Sequence, residues 1–218
     1  MPRETFYNLS EAKRGKIESA AVKEFSQYAY DSASVNRIID AAGIPKGSFY
    51  QYFDDKKDIY RYVIDRLVEK KMTHLKPLLE NPLQDNFFDL LYKLYGGGLE
   101  FALSNPQLQM ITSRILADRK HPVFLELMRD HMQKSDQVFH MLLQKGIERG
   151  EIRADIDLEL SAHIISTLNT AFSDYYLEKR GSLEKDVYLT YVSSLIALLK
   201  QGIGNEKYRD SEEGINGI

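Results

Sequence analysis

Seven consecutive residues, KGSFYQY at 46–52, bring together side chains suited to a nucleic-acid groove. Lys46 can neutralise a phosphate. The hydroxyls of Ser48, Tyr50 and Tyr52 can donate to phosphate oxygens, as can the free amides at a helix N-terminus. Gln51 carries the paired donor and acceptor that match adenine in the major groove. Gly47 removes a side chain where the backbone must come close to a partner. Read as a helix, the segment turns Phe49 inward together with Phe53, towards Phe25, Ile38, Ile39 and Ile59. Lys46, Gly47, Ser48, Tyr50 and Gln51 are left on the other side, with Tyr52 at its edge. The same spacing suits an amphipathic corner helix whose tyrosines pack at a surface, and the residues alone leave both possibilities open.

Other chemistry is poorly supplied. The histidines at 74, 121, 131, 140 and 163 show no HExxH spacing, and neither a phosphate-binding glycine loop nor a nucleophile elbow occurs. His131 beside Asp130, and His121 near Asp118, read as solvated pairs on helix faces. The chain has no cysteine, which excludes disulfides, thiolate metal sites and thiol nucleophiles. No catalytic residue, metal or cofactor is expected, and the chain does not read as an enzyme.

The elements that must position residues 46–52 are helical. Ile17, Ala20, Ala21 and Phe25 follow helical spacing, as do Val35, Ile38, Ile39 and Ala42. The pattern predicts helices over 9–28, 34–42, 46–52, 55–76, 84–104, 107–118, 122–149, 157–179 and 184–203. Prolines punctuate them, with Pro45 in a turn, Pro77 and Pro82 bracketing a break, and Pro106 and Pro122 marking two more. Ser34 is placed to cap the second helix, and Asp54 or Asp55 the fourth. Gly43 can take the left-handed conformation that ends the second helix, and Pro45 pre-sets the backbone before the third. Two short helices about a tight glycine turn are the helix-turn-helix pattern.

Net charge is −3, and residues 1–57 hold nine Lys/Arg against eight Asp/Glu. That balance allows a local basic face from Lys13, Arg14, Lys16, Lys46 and Lys56 without demanding one. No apolar run approaches the length of a membrane span, and MPRETFYNLSEAKRGK lacks a signal peptide's apolar stretch. The expected setting is cytoplasmic, with no membrane partner. The segment GNEKYRDSEEGINGI at 204–218 is polar and aperiodic, and is expected to be a disordered tail.

Residues 20–60, AAVKEFSQYAYDSASVNRIIDAAGIPKGSFYQYFDDKKDIY, resemble the DNA-binding domain of the TetR family of transcriptional regulators. Phe25, Tyr30, Ser34-Val35, Ile38, Ala42-Gly43, KGSFY at 46–50, Tyr52-Phe53 and Lys56 carry the resemblance. GIERGEIRADIDLELSAHII at 146–165 is more loosely similar to that family's link between its seventh and eighth helices. The resemblance implies an all-α chain. An N-terminal three-helix DNA-binding domain (1–54) would precede a C-terminal helical ligand-binding and dimerisation domain (55–203). It implies that Lys46, Gly47, Ser48, Tyr50, Gln51 and Tyr52 face double-stranded DNA, while Ser34 and Lys56 hold phosphates. Ala29 departs from the family's usual glycine, and alanine would be strained there if the turn needed a positive φ.

The C-terminal half must then supply an input and a partner surface. Leu160, Ile164 and Leu168, with Val187, Tyr191, Leu195 and Leu198, lie on helices apolar over much of their circumference. Such helices suit a monomeric core, whereas the resemblance favours a four-helix homodimer interface. The run YGGGLEF at 95–101 costs about 3 kcal/mol as helix, at about 1 kcal/mol per glycine. Either the helix breaks there or the bare backbone makes room for something packed against it. A cavity at that gap would be walled by Tyr92, Gly97, Phe101, Met110, Phe139 and Phe172, with Asn169 and Tyr176 as polar handles. It would take a small apolar or aromatic effector. The expectation is a homodimeric, ligand-released repressor. Corepressed or activating regulation, and a helical binding protein without DNA function, remain alternatives.

Overall fold

The computed structural model describes residues 1–80, 85–118, 120–180 and 184–209, and it is helical throughout. Eleven helices run in order among the described residues. They are α1 (Glu4–Tyr7), α2 (Glu11–Gln27), α3 (Val35–Ala42), α4 (Lys46–Tyr52), α5 (Lys56–Glu80), α6 (Phe87–Ser104), α7 (Pro106–Ala117), α8 (Pro122–Glu148), α9 (Leu158–Arg180), α10 (Lys185–Ile203) and α11 (Glu206–Arg209). Two compact units form, one from residues 1–73 with 102–127 and the other from 74–101 with 128–218. The units therefore do not divide at residue 54. The first half of α5 buries Ile59, Tyr60, Val63 and Ile64 in the first unit, with the Tyr60 ring 4.7 Å from that of Phe25.

In the first unit, the α3–α4 corner is set by local chemistry. The Ser34 hydroxyl accepts from the Arg37 amide at 3.4 Å and caps α3. Gly43 ends α3 at φ 65°, and the amide of Ile44 closes back on the Ile39 carbonyl. No other residue type adopts a positive φ among the described residues, so Ala29 carries no such strain. α7 joins this unit through Arg114, whose Nε and Nη2 donate to the carbonyls of Ser26 (2.9 Å) and Gln27 (2.8 Å) at the end of α2.

In the second unit, Phe88, Leu91, Tyr95 and Leu99 of α6 pack with Leu143, Ile165, Tyr176, Tyr188, Val192 and Ile196. Glu151, 2% exposed, accepts from the Phe87 amide at 2.7 Å and pairs with Arg149, which fixes the start of α6.

Three expectations are corrected. α5 continues through Pro77 rather than stopping at 76. Thr73 and Pro77 are both exposed, so the turn in which the Thr73 carbonyl loses its helical donor lies on the solvent side of the helix. Pro82 lies outside the described residues. α6 runs unbroken through its three glycines. A Cβ at Gly97 would stand 2.8 Å from Leu75 Cδ2 and 3.4 Å from Leu78 Cδ1, so those leucines fill the room the glycine leaves. Finally, residues 204–209 are ordered. Ile152 and Gly204 form an antiparallel bridge, and the Asn205 amide donates to the Glu151 carbonyl at 2.9 Å. Residues 210–218 lie outside the described part of the chain.

Candidate nucleic-acid interface

α4 presents the two faces its spacing predicts. Phe49 and Phe53 are fully buried, with ring centroids 5.4 Å apart. Lys46, Gly47, Tyr50 and Gln51 are exposed, Tyr50 at 45%, while Ser48 and Tyr52 are half-buried at the margin. A Cβ on Gly47 would meet nothing within 4 Å, so the fold places no demand for glycine there. The bare position is a feature of the exposed face alone.

Ser34 stands at the α3 N-terminus as expected, but a carboxylate missed by the sequence reading holds it. Glu24, 6% exposed, accepts from the Ser34 amide at 2.7 Å and from Arg37 Nη2 at 2.6 Å and Nε at 3.0 Å. Arg37 also donates to the Ser32 carbonyl and lies 4.1 Å over the Tyr28 ring. Glu24 and Arg37 stand thirteen residues apart. A buried-phase glutamate in α2 was the only sequence signal for the pair.

Lys56 does not present a free ammonium. Its Nζ donates to the carbonyls of Tyr30 (2.7 Å), Asp31 (3.1 Å) and Ala33 (3.2 Å), and lies 4.6 Å over the Tyr30 ring. Three donors meet three acceptors, so Lys56 ties down the loop before α3 and has no N–H left over for a phosphate oxygen. The N-terminal arm was also missed. Phe6 is fully buried against Phe53 (4.9 Å) and Tyr62 (5.0 Å), and the Arg3 amide donates to the Tyr52 carbonyl at 2.8 Å.

The residues expected to wall a cavity are only partly gathered. Tyr92, Phe139 and Phe172 belong to the second unit's core or pack on it. Phe101 is buried beside His74. Met110 lies on α7 in the first unit at 49% exposure. The Asn169 side chain is outside the described residues. Tyr176 is fully buried, and its hydroxyl donates to the Glu184 carbonyl (3.2 Å) and accepts from the Glu184 amide (3.3 Å). It closes the start of α10 rather than serving as a handle. Tyr95 is the reverse case. Only 2% exposed, it packs 5.4 Å from Phe172, and among the described residues its buried hydroxyl has no hydrogen-bond partner. Burial, and secondarily Tyr188, push its phenol pKa up.

The expected interface residues lie outside the core. Along α10, Tyr188, Val192 and Ile196 are buried, while Val187, Tyr191 and Leu195 are half-buried and Leu198 is 70% exposed. Along α9, Ala162, Ile165 and Ser166 are buried, whereas Leu160 and Ile164 are exposed and Leu168 half-buried. The Asp136 carboxylate accepts from the Ser166 hydroxyl and meets His163 Nδ1 at 3.0 Å. With the carboxylate between hydroxyl and imidazole, this is not the order in which a nucleophilic triad passes a proton. Among the described residues no group of three His, Cys, Asp or Glu side chains could hold a metal, and no helix is long and apolar enough to cross a membrane.

A capped helix, a glycine turn and a short helix with a polar outer face define a helix-turn-helix transcriptional regulator. Residues 17–63 match the family model described as bacterial regulatory proteins of the tetR family, and residues 85–203 match the tetracyclin repressor-like C-terminal domain. The chain belongs to the TetR family, whose members are regulators and not enzymes. A crystal structure of a TetR family transcriptional regulator from Chloroflexus aurantiacus is 30% identical, with 94% of this chain and 100% of that one covered and a TM-score of 0.65. The transcriptional regulator FadR of Bacillus subtilis, solved with stearoyl-CoA, shares the fold at 19% identity and a TM-score of 0.70. That match covers 87% of this chain and 98% of FadR. A helix-turn-helix-type regulator of Staphylococcus aureus is 37% identical over 68 residues, which is 31% of this chain. The chain spans 37% of that curated relative's length.

Proposed function

We propose that this chain is a homodimeric, cytoplasmic repressor that binds a pseudo-palindromic DNA operator and is released by a small apolar effector. The carrying observation is the outer face of α4, where Lys46, Gly47, Tyr50 and Gln51 stand exposed over buried Phe49 and Phe53. Residues 1–54 supply the DNA contacts. Lys46 neutralises phosphate, the hydroxyls of Ser48, Tyr50 and Tyr52 donate to it, and Gln51 reads a base edge. The apolar residues left open on α9 and α10, Leu160, Ile164, Leu168, Val187, Tyr191, Leu195 and Leu198, form the two-fold interface. Two recognition helices then lie about 34–36 Å apart, one turn of B-DNA.

The test is a mobility shift on fragments flanking the protein's own gene, at two salt concentrations. One fragment is expected to shift in a salt-sensitive way. Tyr50→Ala should lose the shift, and Gly47→Ala should weaken it although alanine stabilises an open helix position by about 0.5–1 kcal/mol. No sequence-preferring shift by wild type would refute the repressor.

The effector cavity, within residues 55–203, is centred on Tyr95, with Tyr92, Phe139 and Phe172 around it, and the Tyr95 hydroxyl is its polar handle. An unpaired buried hydroxyl costs about 1–3 kcal/mol. Tyr95→Phe should therefore unfold at higher denaturant concentration than wild type while its DNA shift resists effector. A less stable variant would show that the hydroxyl already has a partner.

A further inference from the structure

Tyr95 is only 2% exposed, and among the described residues its buried hydroxyl has no hydrogen-bond partner. Tyr176, fully buried in the same core, has its hydroxyl both donating to and accepting from Glu184. Leaving such a group unbonded in an apolar core is costly. A phenylalanine would present the same ring to Phe172, so packing does not account for the oxygen. Burial, and secondarily Tyr188, raise the phenol pKa, and the group keeps its proton at neutral pH. Tyr95 is therefore a hydrogen-bond donor in want of an acceptor.

Tyr95 packs edge-on to Phe172 at 5.4 Å, and Phe172 edge-on to Tyr188 at 5.5 Å. Phe172 is half-buried, so a single ring separates Tyr95 from the outside of the core. Among the described residues of the second unit, the buried charged side chains are Glu151 and Lys200. Glu151 accepts from the Phe87 amide at 2.7 Å, and the Lys200 ammonium lies 5.8 Å over the Phe88 ring. Both therefore stand at the start of α6, about two turns of helix before Tyr95.

Ligands of three kinds meet this hydroxyl differently. A carboxylate or phosphate would enter an apolar core that offers one neutral O–H and no buried cation beside it, which is costly. An alcohol can accept from Tyr95, but it brings a second O–H that needs an acceptor of its own. A ketone or ester carbonyl accepts the Tyr95 proton and leaves no donor unpaired, and an acceptor's spare lone pair is the lesser cost. Resting on the effector site given above, we propose that Tyr95 binds the carbonyl oxygen of a neutral, apolar ketone or ester. The site then selects against the corresponding acid and alcohol.

The test uses the full-length protein, as wild type and as Tyr95→Phe, with two matched sets of probes. One is 2-nonanone with 2-nonanol and nonanoate, the other acetophenone with 1-phenylethanol and benzoate. Titration calorimetry gives the affinities, and infrared spectra give the C=O stretch of the bound ketone. At least one ketone should bind wild type more tightly than its alcohol and its acid. It should lose about ten-fold in affinity for Tyr95→Phe, where its carbonyl is buried without a donor. Its C=O stretch should stand at lower frequency on wild type than on the variant, because a donated hydrogen bond weakens that bond. A ketone with the same affinity and stretch on both proteins overturns the proposal, as does an acid or alcohol that binds as tightly as its ketone, or no ketone binding at all. Operator shifts are run on both proteins without ligand. An acid or alcohol bound in a Tyr95-dependent way sinks the carbonyl preference and leaves the effector site. No Tyr95-dependent binding beside an intact shift sinks that site as well, and no shift from either protein sinks the repressor.

Discussion

Phe6→Ala is expected to lower the stability of the first unit by about 3–5 kcal/mol, the usual cost of truncating a buried phenylalanine. The ring is fully buried and within 6.1 Å of four others, those of Tyr7, Tyr52, Phe53 and Tyr62. It also carries the arm that closes the end of α4. The Arg3 amide holds the Tyr52 carbonyl, the Thr5 hydroxyl holds the Gln51 carbonyl, and Arg3 Nε reaches Asp54 at 3.0 Å. These carbonyls lack helical donors, so the arm satisfies part of the helix terminus. For a chain of this size the loss corresponds to a fall in Tm of roughly 10 °C. Denaturant unfolding reads it directly. Below the new transition, the operator shift should weaken about ten-fold, because the arm orders the helix that carries Tyr50 and Gln51. A loss under about 1 kcal/mol would mean that Phe6 is not the buried anchor described.

How much of this was legible in the sequence depends on the range of each interaction. The α3–α4 corner was legible because Ser34, Gly43 and Pro45 each act on backbone within a few residues. The two faces of α4 followed from helical period alone. The arm was not legible, since α1 has four residues and its bonds reach 46 or more positions along the chain. Lys56 reads as a phosphate ligand by position, yet its acceptors are carbonyls 23 to 26 residues away. Pro77 and the three glycines of α6 invite local rules that tertiary surroundings override. Pro77 sits on the exposed side of its helix, and the ends of Leu75 and Leu78 pack where a Cβ at Gly97 would stand. Tyr95 and Tyr176 look alike in sequence, both on apolar helices of the second unit. Only the fold shows that one hydroxyl is bonded to Glu184 and the other has no partner among the described residues. Places where local rules fail without a structural gain are where function is to be sought.

Arg37→Ala should destabilise the first unit more than Glu24→Ala, because Arg37 is 47% exposed while Glu24 is only 6% exposed. The asymmetry gives the argument its sign. Removing the arginine leaves the Glu24 carboxylate buried with the Ser34 amide as its remaining donor among the described residues. Removing the glutamate instead leaves a guanidinium that water can reach, so Glu24→Ala should cost less. The double substitution should then cost clearly less than the sum of the two single ones, the non-additivity of residues in direct contact. Arg37→Lys should recover only part of the loss. A lysine cannot bond both carboxylate oxygens and the Ser32 carbonyl in the fork that the guanidinium uses. Unfolding of the four variants in denaturant gives the cycle. Additive costs would show that Glu24 and Arg37 do not act as a unit, and α3 would then be held at its start by the Ser34 cap alone. If they do couple, the same variants should lose operator affinity in the order of their instability, since α3 is the helix against which α4 is set.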